Sequence, residues 1–162
     1  MSIKLIITGG TFDKEYNELN GELFFRESHV LEMLALGRSR LKIAVKQLMM
    51  IDSLFMTAAH RKKVLRECLA SKERSIVITH GTDTMPETAR LLGPAIKNKT
   101  VVLTGAMVPY KFGSSDGMFN LGSALSFSQT LPPGVYIAMN GRYFNWYNVR
   151  KNKAKGEFEE IK

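Results

Sequence analysis

Ile3-Lys4-Leu5-Ile6-Ile7-Thr8-Gly9-Gly10-Thr11 is the stretch on which the fold turns. A short apolar run stops abruptly at a turn of glycines and threonines, which marks a buried strand entering a tight loop. Ile76-Val77-Ile78 repeats the pattern and stops at His80-Gly81-Thr82-Asp83. Leu41, Ile43 and Val45 alternate with Lys42 and Lys46 and begin another strand, and Val101–Leu103 and Val135–Met139 supply two more.

Helical signals fall between these runs. His29 to Leu36 reads as a short helix ending near Gly37. Thr57 offers an N-cap for a helix with Val64, Leu65, Cys68 and Leu69 on one face. Thr84-Met85-Pro86-Glu87 has capping-box spacing with proline in the first turn, and Asp116 can cap a helix bearing Met118, Leu121, Gly122 and Leu125. Residues 12–23 read as an exposed loop. The alternation predicts an α/β fold: an open, mainly parallel sheet with helices on both faces, in a single domain spanning 1–162.

The chain of 162 residues is 44% apolar and 23% charged, the balance of a folded domain with a real core. No apolar run approaches the ~20 residues of a membrane span. The first residues read as a strand rather than a leader, and the single Cys68 cannot form an internal disulfide, so a cytoplasmic setting is expected. The net charge of +8 raises the question of nucleic acid. Arg61-Lys62-Lys63 and Arg150, Lys151, Lys153 and Lys155 are scattered, however, and no aromatic-interleaved binding signature accompanies them. A solvated basic surface is the expectation, with neither nucleic acid nor membrane as partner.

Chemistry concentrates at the strand ends. Thr11 follows the first strand, Asp52-Ser53 the second, Thr82-Asp83 the third and Gly105-Ala106-Met107 the fourth. The carboxyl ends of parallel strands line one crevice, so these distant segments should converge there. Hydroxyls, a carboxylate, a lysine and free backbone N–H groups suit acyl transfer from an amide, with backbone donors holding the oxyanion. Taken singly, each signal has a plainer meaning. Thr8-Gly9-Gly10-Thr11 can be only a turn, and it matches neither a Walker loop nor G-x-G-x-x-G. Lys151 sits in a basic run, Ser53 can begin the next helix, and Tyr16 can be an ordinary loop residue. His29, His60 and His80 lack metal-ligand spacing, so no metal or cofactor is expected.

Thr8-Gly9-Gly10-Thr11 and Ile78-Thr79-His80-Gly81-Thr82-Asp83-Thr84-Met85 together resemble the two signature segments of the bacterial-type asparaginase and glutaminase family. Thr104-Gly105-Ala106-Met107 with Ser115-Asp116-Gly117 resembles a third shared segment, and Val149-Arg150-Lys151 the stretch carrying the family's active-site lysine. The resemblance implies that Thr11 is the nucleophile, forming an acyl-enzyme, assisted by Tyr16 from the following loop. Thr82, Asp83 and Lys151 would form a second group that tunes proton transfer. Ser53 would hold the substrate's α-carboxylate and Asp83 its α-amino group, with Asp52, Gly81 and Ala106 lining the same pocket.

The implied reaction is hydrolysis of L-asparagine to L-aspartate and ammonia, with weaker action on L-glutamine. A non-catalytic amino-acid sensor and an amidase component of a larger assembly stand as alternatives. Two departures bear on affinity: Leu54 occupies a position that is polar in many relatives, and the chain reads as a short form without the family's smaller C-terminal domain. Surface left uncovered by such a form, with Tyr143, Phe144, Trp146 and Tyr147 late in the chain, predicts a homo-oligomer, most simply a two-fold dimer.

Overall fold

A computed structural model describes residues 1–162. In chain order the elements are β1 (Ser2–Gly9), β2 (Lys14–Asn17), β3 (Glu22–Phe25), α1 (Val30–Leu36), β4 (Lys42–Ile51), α2 (Ala58–Ala70) and β5 (Ser75–Thr79). There follow α3 (Met85–Leu92), β6 (Thr100–Thr104), α4 (Gly117–Thr130), β7 (Gly134–Met139), β8 (Arg142–Asn145), β9 (Arg150–Asn152) and β10 (Glu157–Glu159). Six strands form one sheet in the order β4-β1-β5-β6-β7-β8. All neighbours pair in parallel except β8, which returns antiparallel along β7.

Among the five parallel strands alone, the second, first, third, fourth and fifth in chain order lie side by side. This is a doubly wound order whose direction reverses between β1 and β5, and ligands bind such sheets outside the carboxyl ends at that reversal. Successive side chains of a strand point to opposite faces. Leu5, Ile7, Val77, Val102, Tyr136 and Ala138 therefore meet α1 and α4, through Val30, Met33, Leu121 and Leu125. Ile6, Ile76, Ile78, Val101, Leu103 and Ile137 meet α2 and α3, through Val64, Cys68, Met85, Ala89 and Leu92. Helices cover both faces, as the sequence predicts. Each fully buried leucine, isoleucine or valine contributes roughly 1.5–3 kcal/mol, so the central strands are the most firmly held part of the molecule.

The antiparallel elements depart from the expectation. Residues 12–23 are not a plain loop: Thr11–Asp13 make a 3-10 turn, and the chain continues into a two-stranded ribbon of β2 and β3. Its sequence, with exposed glutamates and asparagines between the strands, has no apolar alternation to announce it. The other ribbon, β9 with β10, falls in a basic stretch for the same reason. The late aromatics divide. Phe144 is buried and Trp146 leans on the core, whereas Tyr143 and Tyr147 stay exposed.

Candidate active site

Backbone brings the four strand ends together, and glycine permits it. Gly10 has φ +85°, and a side chain there would stand 2.4 Å from the Gly81 backbone. At Gly81 a Cβ would fall 2.5 Å from Ser53 Oγ. The loop after β1 thus lies directly on the loop after β5, which lies on the one after β4, and no larger residue fits between them. Below, the Thr8 hydroxyl donates to the Thr79 carbonyl (2.7 Å) and locks β1 to β5 beneath the crevice. Thr11 and Thr82 each follow one of these touching glycines at the reversal of strand order.

Lys151 is drawn into this group from the far end of the chain. Its Nζ donates to Thr82 Oγ1 and to Asp83 Oδ1, both at 2.8 Å. Phe158, buried and directly opposite Lys151 in the β9–β10 register, seats the ribbon in the core. The Val149 carbonyl accepts from Arg90 on α3, and the Phe158 N–H donates to Asn140 Oδ1. The basic residue is therefore a held partner rather than part of a solvated run. Thr82 is buried, and Lys151 and Asp83 are partly so, which strengthens their attraction over that of an exposed pair.

The remaining sequence-predicted residues fall on different sides of this group. Ser53 is buried; its Oγ accepts the Thr84 N–H (3.3 Å) and its carbonyl accepts the Thr84 hydroxyl (2.8 Å). Thr84 thus begins α3 without a side-chain cap and spends its hydroxyl on joining two loops. Asp52 pairs with Lys14 of β2 and accepts the Leu54 N–H at 3.0 Å. Its partial burial raises the carboxyl's pKa, but Lys14, the Leu54 amide and the charge of Lys151 outweigh that and hold it below the usual carboxylate range. Gly81 and Ala106 are buried and contribute backbone. Asp116 also leaves its helix uncapped: its carboxylate accepts the N–H groups of Met107 and Val108 and so fixes the loop after β6.

Tyr16 is not brought to the group. It is 54% exposed on β2, and its hydroxyl lies toward Gly21 at the turn of its own ribbon. Its ribbon is rooted by charge instead. The buried Asp13 accepts the Ser28 hydroxyl and the His29 N–H, while His29 Nε2 lies 3.0 Å from Glu15. Lys14, which holds Asp52, escapes a reading by motif because its partner is 38 residues away. Neither Cys68 nor His80 offers a free reacting atom: the thiol is buried, and both ring nitrogens of His80 are engaged, by the Gly81 carbonyl and Thr88 Oγ1. Burial pushes the Cys68 thiol up to about 12, and burial pushes the His80 imidazole down to about 4. The structure holds no cluster of His, Cys, Asp and Glu able to bind a metal, and no helix long and apolar enough to cross a membrane.

Comparison with known proteins meets this geometry. Residues 2–158 match the family described as Asparaginase, N-terminal. L-asparaginase of Thermococcus kodakarensis is 31% identical over 161 residues, covering 96% of this chain and 49% of that protein. Its thermostable enzyme superposes with a TM-score of 0.88 at 30% identity, covering 99% of this chain and 51% of that one. L-asparaginase I of Vibrio cholerae gives 0.87 at 26% identity, covering 98% and 51%. The chain spans about half the length of these relatives.

Proposed function

The chain belongs to the asparaginase family through its N-terminal domain, and from that premise we propose that residues 1–162 form one amidohydrolase domain that converts L-asparagine to L-aspartate and ammonia. The observation that carries this reading is the part-buried contact of Lys151 with Thr82 and Asp83 at the reversal of the sheet, on the loop whose Gly81 touches Gly10, the residue before Thr11.

In this mechanism Thr11 Oγ attacks the side-chain amide carbon. The C–N bond breaks, and the threonine proton leaves with the nitrogen as ammonia. Water then cleaves the aspartyl ester and restores the hydroxyl. A lysine ammonium has three donors and no acceptor. With two donors spent on Thr82 and Asp83, Lys151 orients the Thr82 oxygen and leaves the hydroxyl's own proton free to act on the reacting group. Asp83 keeps its second oxygen for the substrate's α-amino group, and Ser53 and the Gly81 and Ala106 backbone face its α-carboxylate. L-glutamine, one methylene longer, is the weaker substrate, by about ten- to two-hundredfold if the pocket fits one length.

A cytoplasmic setting, in keeping with the lone buried Cys68, belongs to the same reading, as does self-association. Leu54 and Phe55, 61% and 72% exposed, adjoin Ser53, and covering them against a second copy would shield the crevice from water. Sedimentation at micromolar concentration should give a dimer or higher species, and a lone 18.2 kDa species contradicts that part. Ammonia release from L-asparagine by the purified chain tests the rest. The reading expects turnover that disappears in Thr11→Ala with the thermal transition unchanged. Binding of L-asparagine without ammonia release would make the chain a sensor instead.

A further inference from the structure

Behind the Thr82–Asp83–Lys151 group, a line of buried polar atoms joins two helices to the loop that carries it. His80, at the end of β5, is completely buried. Its Nδ1 lies 2.7 Å from the Gly81 carbonyl oxygen and its Nε2 2.8 Å from Thr88 Oγ1 on α3. Arg61 of α2 places Nε 3.2 Å from the same hydroxyl oxygen.

The chemistry of these atoms gives the line one direction. A carbonyl only accepts, so His80 Nδ1 carries the proton. A neutral imidazole has one N–H, so Nε2 accepts and the Thr88 hydroxyl donates to it. An arginine only donates, and Thr88 Oγ1 receives its Nε–H. Every donor and acceptor is then matched, and burial, which lowers the imidazole's pKa, favours the neutral ring that this pattern requires. Arg61 is itself fixed, donating to the Met56 carbonyl at 2.9 Å and pairing with Glu87 at 3.0 Å.

The consequence falls on one peptide plane. The Gly81–Thr82 bond is trans, so its carbonyl and the Thr82 N–H point in opposite directions. Aiming the carbonyl at His80 turns the Thr82 N–H away from the helices, and that N–H makes no hydrogen bond within the chain. Gly81 has no side chain with which to hold the plane itself.

We propose that His80, as the Nδ1-protonated tautomer held by Thr88 and Arg61, is a positioning residue that fixes the Gly81–Thr82 peptide and so aims the Thr82 hydroxyl at Lys151. Its effect on turnover rests on the asparaginase reading; its effect on the peptide does not. Thr88→Val removes the hydroxyl while keeping the branched shape, and Thr88→Ser restores it.

Nitrogen NMR of the wild-type ring should find the proton on Nδ1 and a bare Nε2. Thr88→Val should shift the Thr82 amide resonance and lower kcat about tenfold with KM within about twofold, and Thr88→Ser should return both toward wild type. A proton on Nε2 in the wild type overturns the proposal. So does a Thr88→Val protein whose melting temperature falls while kcat and the Thr82 resonance stay put. If the chain proves inactive on L-asparagine, the ring tautomer and the Thr82 resonance decide alone. If Thr88→Val fails to fold, Arg61→Gln should move the Thr82 resonance in the same sense by a smaller amount, and no movement overturns the assignment.

Discussion

Two antiparallel ribbons flank the parallel sheet, and they treat their functional side chains in opposite ways. The β9–β10 ribbon is nailed into the core by Phe158, and the residue facing Phe158 is Lys151, delivered 2.8 Å from both Thr82 and Asp83. The β2–β3 ribbon is rooted by charge, through Asp13, the His29–Glu15 pair and the Lys14–Asp52 pair, and its tip stands in water with Tyr16 exposed. An apolar anchor directly opposite a side chain fixes that side chain's direction because displacing it leaves a cavity, whereas the buried and part-buried polar contacts of the β2–β3 ribbon hold its base and leave its tip in water. Proximity in sequence to Thr11 therefore counts for less than anchorage: Lys151 is 140 positions away and arrives, while Tyr16 is five away and does not.

Removing the apolar anchor should have the largest effect. Phe158→Ala is expected to lose about 3–5 kcal/mol of stability, with activity falling because Lys151 loses its seat. Chemical denaturation followed by an ammonia assay reads both, and a variant as stable and active as the wild type would erase the distinction between the ribbons. Lys151→Met leaves the ribbon seated and should cost at least ~100-fold in kcat/KM, about 2.7 kcal/mol of transition-state stabilisation. Behaviour like that of a surface substitution would return Lys151 to the solvated basic run.

The charged root makes a prediction in pH. Burial raises the Asp13 carboxyl above its ordinary 3.8, more than its bonds from His29 and Ser28 and the charge of His29 lower it. A carboxyl whose pKa is higher folded than unfolded binds protons more readily when folded. Its contribution is therefore fully present below the unfolded value and is lost as pH rises through the folded one. Asp13→Asn should remove that decline, so thermal denaturation across the acid range should show stability rising more steeply toward neutral pH than in the wild type; parallel profiles would take Asp13 out of the root. Tyr16→Phe should do least, changing kcat/KM by less than about threefold. A hundredfold loss in steady-state assays would mean that the outer ribbon delivers its tyrosine during turnover.

The parallel sheet was legible because burial on both faces writes itself as apolar runs, and Ile3–Ile7, Ile76–Ile78 and Val101–Leu103 are such runs. The glycine and threonine turns were legible because close backbone approach excludes other residues, as Gly10 against Gly81 demonstrates. The ribbons were not. Their strands are three or four residues long and mostly polar, and their stability comes from contacts with residues distant in sequence. Thr84 and Asp116 mark another limit. Each begins a helix where capping chemistry predicts, yet each turns its side chain to a neighbouring loop, a choice that only the assembled site makes advantageous.

Everything proposed about the chemistry converges on one oxygen. Rapid acid quench of the chain with L-asparagine, followed by peptide mass spectrometry, tests it most directly. The account predicts an aspartyl ester on the peptide beginning the 3-10 turn, at Thr11, that is absent from Thr11→Ala. Turnover without any ester on Thr11, or an ester on Thr82 in its place, would contradict it.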